Sequence, residues 1–279
     1  MLLLALLLTG PVQPIVSAEW LLAHRADPDL VVIHAGRNRA SYDTVHVAGA
    51  RYLDWSEFTV TRNGIAVELP EPDSVAAALG RLGVGDGNRV VIYGDVLVAA
   101  RLWFTLDWLG AGDRAFVLDG GLDRWRGLGY PAGADRPPPA RPARLTPQLA
   151  TGALVDADWV RTRLGSATAL VDARNGEEFR GDKLEDGVPR AGHIPGAHNL
   201  DWTATIQDVR YLPLDRVKTL FAQAGIPATG ELVAYCRTGT RSSVLYLLAR
   251  SLGYQARMYD GSMVDWARRT ELPMATGIP

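Results

Sequence analysis

Short apolar runs alternate with amphipathic stretches along almost the whole chain. Leu30-Val31-Val32-Ile33, Val90-Val91-Ile92-Tyr93 and Ala115-Phe116-Val117-Leu118 show no polar alternation, which predicts strands buried on both faces. Ser74 to Leu82 and Ala99 to Leu109 space their apolar residues as helices do. The second half repeats the pattern. Ala169-Leu170-Val171-Asp172, Leu232 to Tyr235 and Ala256-Arg257-Met258-Tyr259 predict strands; Asp156 to Leu164, Asp215 to Ala224 and Ser242 to Leu252 predict helices. Strands alternating with helices imply an α/β fold with mostly parallel sheets covered on both faces.

The two halves are copies of one pattern. His46-Val47-Ala48-Gly49-Ala50-Arg51-Tyr52-Leu53-Asp54-Trp55 matches His193-Ile194-Pro195-Gly196-Ala197-His198-Asn199-Leu200-Asp201-Trp202. Asp119-Gly120-Gly121 with Trp125 matches Asp260-Gly261-Ser262 with Trp266 at the same spacing. Between the copies, the prolines of Pro131 to Pro142 cannot continue a helix or an interior strand, so this stretch predicts a stiff, extended linker. The expected organisation is an apolar tail at 1–16, one domain at 17–133, the linker at 134–150 and a second domain at 151–279.

Chemistry enters at one decisive place where the copies differ. Cys236, the only cysteine, follows the strand Glu231-Leu232-Val233-Ala234-Tyr235 and precedes the helix beginning at Ser242. Its loop, Cys236-Arg237-Thr238-Gly239-Thr240-Arg241, carries two arginines and a glycine. N–H groups at a helix N-terminus and neighbouring guanidinium groups both favour a thiolate. Gly239 lets the backbone curl around a sulfur without a Cβ clash. The first copy has Tyr93-Gly94-Asp95-Val96-Leu97 there, with no nucleophile and an acid in place of Arg237. That half is therefore expected to be a non-catalytic copy that packs against the second and forms one wall of its cleft.

Composition narrows the rest. A formal charge of -2 carries no nucleic-acid-binding bias. Lys183 and Lys218 are the only lysines, so isolated arginines deserve little weight. One cysteine rules out an intrachain disulfide and fits a reducing, cytoplasmic compartment. Met1 to Gly10 is strongly apolar but too short to span a bilayer, and no basic residue precedes it as in a signal peptide. The expectation is a non-exported tail without membrane association, with a truncated signal sequence as the alternative.

These residues resemble the tandem-domain rhodanese family of sulfurtransferases. The resemblance runs from about Ser17 to the C-terminus and rests on the two His-x-x-Gly-Ala segments, Asp172-Ala173-Arg174, the Cys236 loop and Asp260-Gly261-Ser262 with Trp266. It implies an inactive N-terminal domain and a catalytic C-terminal one. It also implies a double displacement in which Cys236 carries a persulfide sulfur from a small donor to cyanide, a thiol or a protein acceptor, with no cofactor or metal. Basic loops in the family go with thiosulfate, a dianion, and Cys-Gly-Ser-Gly-Val-Thr loops with 3-mercaptopyruvate, a monoanion. Arg237 and Arg241 place this loop nearer the thiosulfate type. Arg237, Thr238, Gly239, Thr240, Arg241 and Ser242 are the expected substrate-binding residues, with Arg180 standing in for an arginine often found a few residues after Asp-x-Arg. Glutamates occupy that place here, in Gly176-Glu177-Glu178-Phe179. Asp172 and Arg174 are expected to orient the loop.

Rival chemistries fit less well. A Cys-dependent phosphatase or arsenate reductase needs Cys-x5-Arg, and Cys236 and Arg241 are separated by four residues. A persulfide carrier or partner-binding module remains as the non-enzymatic alternative. His193 and His198 lack the spacing of helical metal ligands; His193 reads as a structural residue before the Pro195-Gly196 turn. Trp125 and Trp266 read as core anchors, and Ser262 as a helix N-cap with Asp265 three residues on.

Overall fold

The computed structural model describes residues 13–277. It contains two five-stranded parallel sheets of identical topology. In the first, the spatial order is Ile15–Val16, Ala115–Leu118, Arg89–Gly94, Leu30–Gly36, Arg51–Asp54. In the second it is Leu154–Val155, Gln255–Tyr259, Glu231–Tyr235, Ala169–Asp172, His198–Asn199. The uninterrupted apolar runs are the central strands, as fully covered strands require.

Two boundaries differ from expectation. Ile15–Val16, assigned to the tail, pairs with Val117 and Leu118 and opens the first sheet; residues 1–12 lie outside the described residues. The helix expected over 156–164 is only Ala157–Arg161, with Asp156 capping it through the Trp159 N–H. The linker has no helix or strand over 135–150, and it is not free. It lies along the first domain through Ala143 N–H to Gly80 O, Gln148 N–H to Leu109 O and Ala150 N–H to Trp108 O.

The domains share one core. The inner faces of both sheets cover the helices Val96–Trp108 and Ser242–Ser251, which pack on each other, and one buried apolar cluster runs through both domains. Tyr246 meets the Phe104 ring edge-on at 4.9 Å. Its hydroxyl donates to Asp107 Oδ2 at 2.6 Å, and Arg250 donates to Oδ1 at 3.2 Å. The outer sheet faces have separate cores around Trp125 and Trp266. Both indoles are fully buried and donate to Pro131 O and Pro273 O, so they are the expected anchors.

Each domain also sends a β-hairpin across to the other. Val60–Arg62 with Ile65–Glu68 reaches the second domain, where Ile65 joins the core around Trp266. Ile206–Gln207 with Arg210–Tyr211 reaches the first, where Asp119 accepts from Tyr211 N–H at 3.0 Å and Arg210 Nε at 2.8 Å. These exchanges place N-terminal residues directly behind the Cys236 loop. No helix among the described residues is long and apolar enough to cross a membrane.

Candidate active site

The divergence of the copies is an unwound helix start. Val96–Trp108 begins three residues after Tyr93, with Asp95 capping it through the Leu97 N–H. Ser242–Ser251 begins seven residues after Tyr235, so the first turn has opened into the Cys236–Arg241 loop. Cys236 is 1% exposed, and the Ser242 hydroxyl lies 3.6 Å from its Sγ.

The loop backbone is held from behind by the short helix Ser262–Trp266. Met263 and Val264 N–H groups donate to the carbonyls of Cys236 and Arg237 at 3.0 and 3.1 Å. The Ser262 hydroxyl accepts from the N–H groups of both Cys236 and Gly239, each at 3.1 Å, and donates to Tyr259 O at 2.9 Å. Among the described residues, the N–H groups of Arg237, Thr238, Thr240, Arg241 and Ser242 have no protein acceptor. They are the donors available to an anionic sulfur in the loop.

Ser262 corrects the expectation that it is an N-cap. Gly261 takes the cap position, Ser262 is the first helical residue, and its φ is +52°. Gly121 in the first copy has φ +51°. The second copy thus accepts a left-handed serine to gain a hydroxyl that ties two loop N–H groups together. Asp265 completes no capping box; it accepts from Tyr259 Oη at 2.8 Å. The change from Gly121 to Ser262 between otherwise matching segments was the legible signal. Ser262→Ala should lose the hydroxyl and keep the strained backbone, costing about 1–3 kcal/mol. Ser262→Gly should cost about 1 kcal/mol less, because glycine tolerates this φ. Urea unfolding of both variants checks the order, and equal losses would refute the strain argument.

Gly239, at φ +81°, lies against a pair built from both domains. A Cβ there would run into Asp260 Oδ1 and crowd Arg101 Nη1. Arg101 is fully buried and forks onto Asp260, with Nη1 on Oδ1 and Nη2 on Oδ2 at 2.9 Å; Nη2 also donates to Val67 O. Leu69 N–H donates to Asp260 Oδ2 at 3.2 Å. Sequence reading missed this seat, because its parts come from distant segments.

In front of the loop, the predicted arginines are already paired. Arg241 donates to Glu178 Oε2 and Glu185 Oε1, both at 2.7 Å. Arg237 donates to Asp186 O at 3.1 Å, and its Nε is 3.8 Å from Glu185 Oε1. Arg174 forks onto Asp172, donates to Gly192 O at 2.8 Å and lies 3.6 Å from Glu185 Oε2. Asp172 and Arg174 are thus joined to the loop arginines through Glu185. Arg180 donates from its Nε to Asp182 at 2.8 Å, and among the described residues it has no side-chain hydrogen bond or ion pair to the Cys236 loop. His193 is buried, stacked on Phe179 and bonded to Phe179 O at 2.8 Å, in keeping with a structural role.

The carboxylates titrate as a pair. Burial pushes the Glu185 carboxyl up, and Glu178 beside it adds to this against Arg241 and Arg174. Burial also acts on Glu178, but Glu185, Arg241 and the Asn175 N–H outweigh it and hold its carboxyl low. Burial opposes the Arg241 charge, while Cys236, Glu178 and Glu185 more than restore it.

Comparison with known proteins agrees with this geometry. Residues 17–128 and 156–269 each match the model of the rhodanese-like domain. The chain is 32% identical to the sulfur carrier protein TtuD of Thermus thermophilus, over 95% of this chain and 97% of that one. It is 33% identical to a probable 3-mercaptopyruvate sulfurtransferase of Pseudomonas aeruginosa, over 94% and 98%. It is 32% identical to a thiosulfate sulfurtransferase of Azotobacter vinelandii, over 91% and 94%.

Proposed function

The chain belongs to the rhodanese family of sulfurtransferases, and on that premise we propose that it moves the outer sulfur of thiosulfate to a thiophilic acceptor through a Cys236 persulfide. The observation that carries this reading is the sole thiol, buried at a strand end in a loop whose N–H groups are free to receive an anion. The Cys236 thiolate attacks the outer sulfur of thiosulfate. The sulfur–sulfur bond of the donor breaks, sulfite leaves with the electron pair, and the cysteine carries a terminal S⁻. Cyanide then takes that sulfur as thiocyanate and restores the thiolate; a thiol acceptor takes it as a persulfide.

Each step keeps negative charge within the loop, where the free N–H groups and Arg241 face it without rearrangement. Asp172 and Arg174 act through Glu185 to position the loop arginines, and Thr238, Thr240 and Ser242 line the buried turn. Arg180 pairs with Asp182 and is given no part in this proposal. One observation favours 3-mercaptopyruvate as a second reading: Glu178 and Glu185 offset the cationic charge of Arg241, which suits a monoanion better than a dianion. The test is thiocyanate production from thiosulfate and cyanide, expected in the native protein and absent in Cys236→Ser. Turnover retained in that variant would end the persulfide reading.

A further inference from the structure

Three guanidinium groups, Arg174, Arg237 and Arg241, and three carboxylates, Asp172, Glu178 and Glu185, meet beside the Cys236 loop. Glu185 is the hub. Its Oε1 accepts from Arg241 at 2.7 Å and lies 3.8 Å from Arg237; its Oε2 is 3.6 Å from Arg174. The side chain is 11% exposed, and Oε2 is buried without a hydrogen-bond partner. Asp172, by contrast, takes a fork from Arg174, and Glu178 takes both Arg241 and the Asn175 N–H. Among the described residues, Glu185 Oε2 is thus the one carboxylate oxygen of the cluster that is buried without a hydrogen-bond partner.

We propose, on the sulfurtransferase reading above, that Glu185 is a donor-specificity residue. Its carboxylate occupies a hydrogen-bonding edge of Arg241 and lies 3.8 Å from Arg237 Nε, so its charge sets how well a dianion competes with a monoanion. Ionised, Glu185 balances the three guanidinium groups and turns the cradle neutral. Protonated, it leaves one net positive charge facing the loop and loosens its hold on Arg241.

The groups around Glu185 set the sign. Glu178, from the Gly176–Arg180 helix, disfavours its ionisation, and so does burial; Arg241 and Arg174 favour it, with Arg237 from the loop adding to the positive side. Burial leads, and the carboxyl is pushed up to about 7. The proton is present below that point and lost above it. The dianionic donor should therefore lose ground as pH rises through neutrality, and the monoanionic donor should lose less.

The experiment compares kcat/KM for thiosulfate and 3-mercaptopyruvate from about pH 6 to about pH 8.5, with cyanide as acceptor and persulfide loading read by mass in the same samples. Alkylation of Cys236 by uncharged iodoacetamide on the same pH axis removes the contribution of thiolate reactivity. The thiosulfate-to-mercaptopyruvate ratio should fall about tenfold in the native protein, the effect of one additional charge interaction in a partly buried site. In Glu185→Gln the ratio should be flat and at least as high as the native value at low pH. A flat ratio in the native protein, or the same fall in Glu185→Gln, overturns the assignment of Glu185. Because loading is read separately, either result leaves the persulfide chemistry standing, whereas failure of both donors to load Cys236 would overturn both proposals. The native pH profile needs no variant, so a folding defect in Glu185→Gln does not remove the test.

Discussion

Arg101→Met should destabilise the protein by about 3–5 kcal/mol, because it leaves Asp260 as a buried charge without its partner. Arg101 is fully buried and Asp260 is 6% exposed, so water cannot take over the lost fork. The consequence for chemistry is larger than the distance in sequence suggests. Asp260 precedes the Gly261-Ser262 turn whose hydroxyl ties the Cys236 and Gly239 N–H groups, and Gly239 itself rests on the pair. A shift of Asp260 therefore reaches the Cys236 loop from two sides. Arg101 is a positioning residue from a domain without a nucleophile. Urea unfolding measures the stability loss. Steady-state kinetics at a temperature where the variant is folded should show kcat falling more than KM rises, since Arg101 and Asp260 are buried and act through the loop they support. Arg101→Lys should restore part of both. The double variant Arg101→Met with Asp260→Leu should unfold at higher urea than Arg101→Met alone, because it removes the unpaired charge. If Arg101→Met matched the native protein in stability, the seat would not be what holds the loop.

The second large effect is expected on cutting the chain. Residues 151–279 alone should not form a monomeric domain of native activity. Nearly every residue of the Ser242–Ser251 helix is buried, and its partner is the Val96–Trp108 helix of the other domain. Each large apolar side chain returned to water costs about 1.5–3 kcal/mol. A few such losses equal the net stability of a whole domain, about 5–15 kcal/mol. The fragment also loses Arg101, Leu69 N–H and Val67 O around Asp260, and Ile65 from the core around Trp266. Sedimentation should show self-association, and any soluble fraction should have a raised KM. A monomeric fragment with native kcat/KM would refute the claim that the first domain completes the second.

How much of this could be read from residues alone follows from the range of the interactions. Fully buried strands announce themselves as uninterrupted apolar runs, and the central strands fell where those runs are. The duplication was legible because matched segments recur in order, and it correctly led to Cys236 as the point of divergence. The cross-over hairpins were not seen. Asn63-Gly64 is a favourable two-residue turn and left a usable signal. Asp208-Val209 adopts φ of +49° and +58° with no glycine, so nothing local announced it. The seat of Gly239 joins positions 101, 239 and 260, which no periodicity connects.

Charge was legible only in part. Arg237 and Arg241 placed the loop nearer the thiosulfate type, but a sequence shows charges and not their partners. Glu178 and Glu185 lie 63 and 56 positions away and fold onto Arg241. Arg180, proposed as a stand-in for the missing arginine, is satisfied by Asp182 two residues on. The glutamates noticed where an arginine was expected were the real clue.

If Cys236 carries the sulfur, the mass of the intact protein reports it. After incubation with thiosulfate and removal of excess donor, the protein should gain about 32 Da, one sulfur atom held as a persulfide. Cyanide should return it to its starting mass with release of thiocyanate, and Cys236→Ser should show no gain. An unchanged mass with thiosulfate and with 3-mercaptopyruvate, or the same gain in Cys236→Ser, would contradict the account.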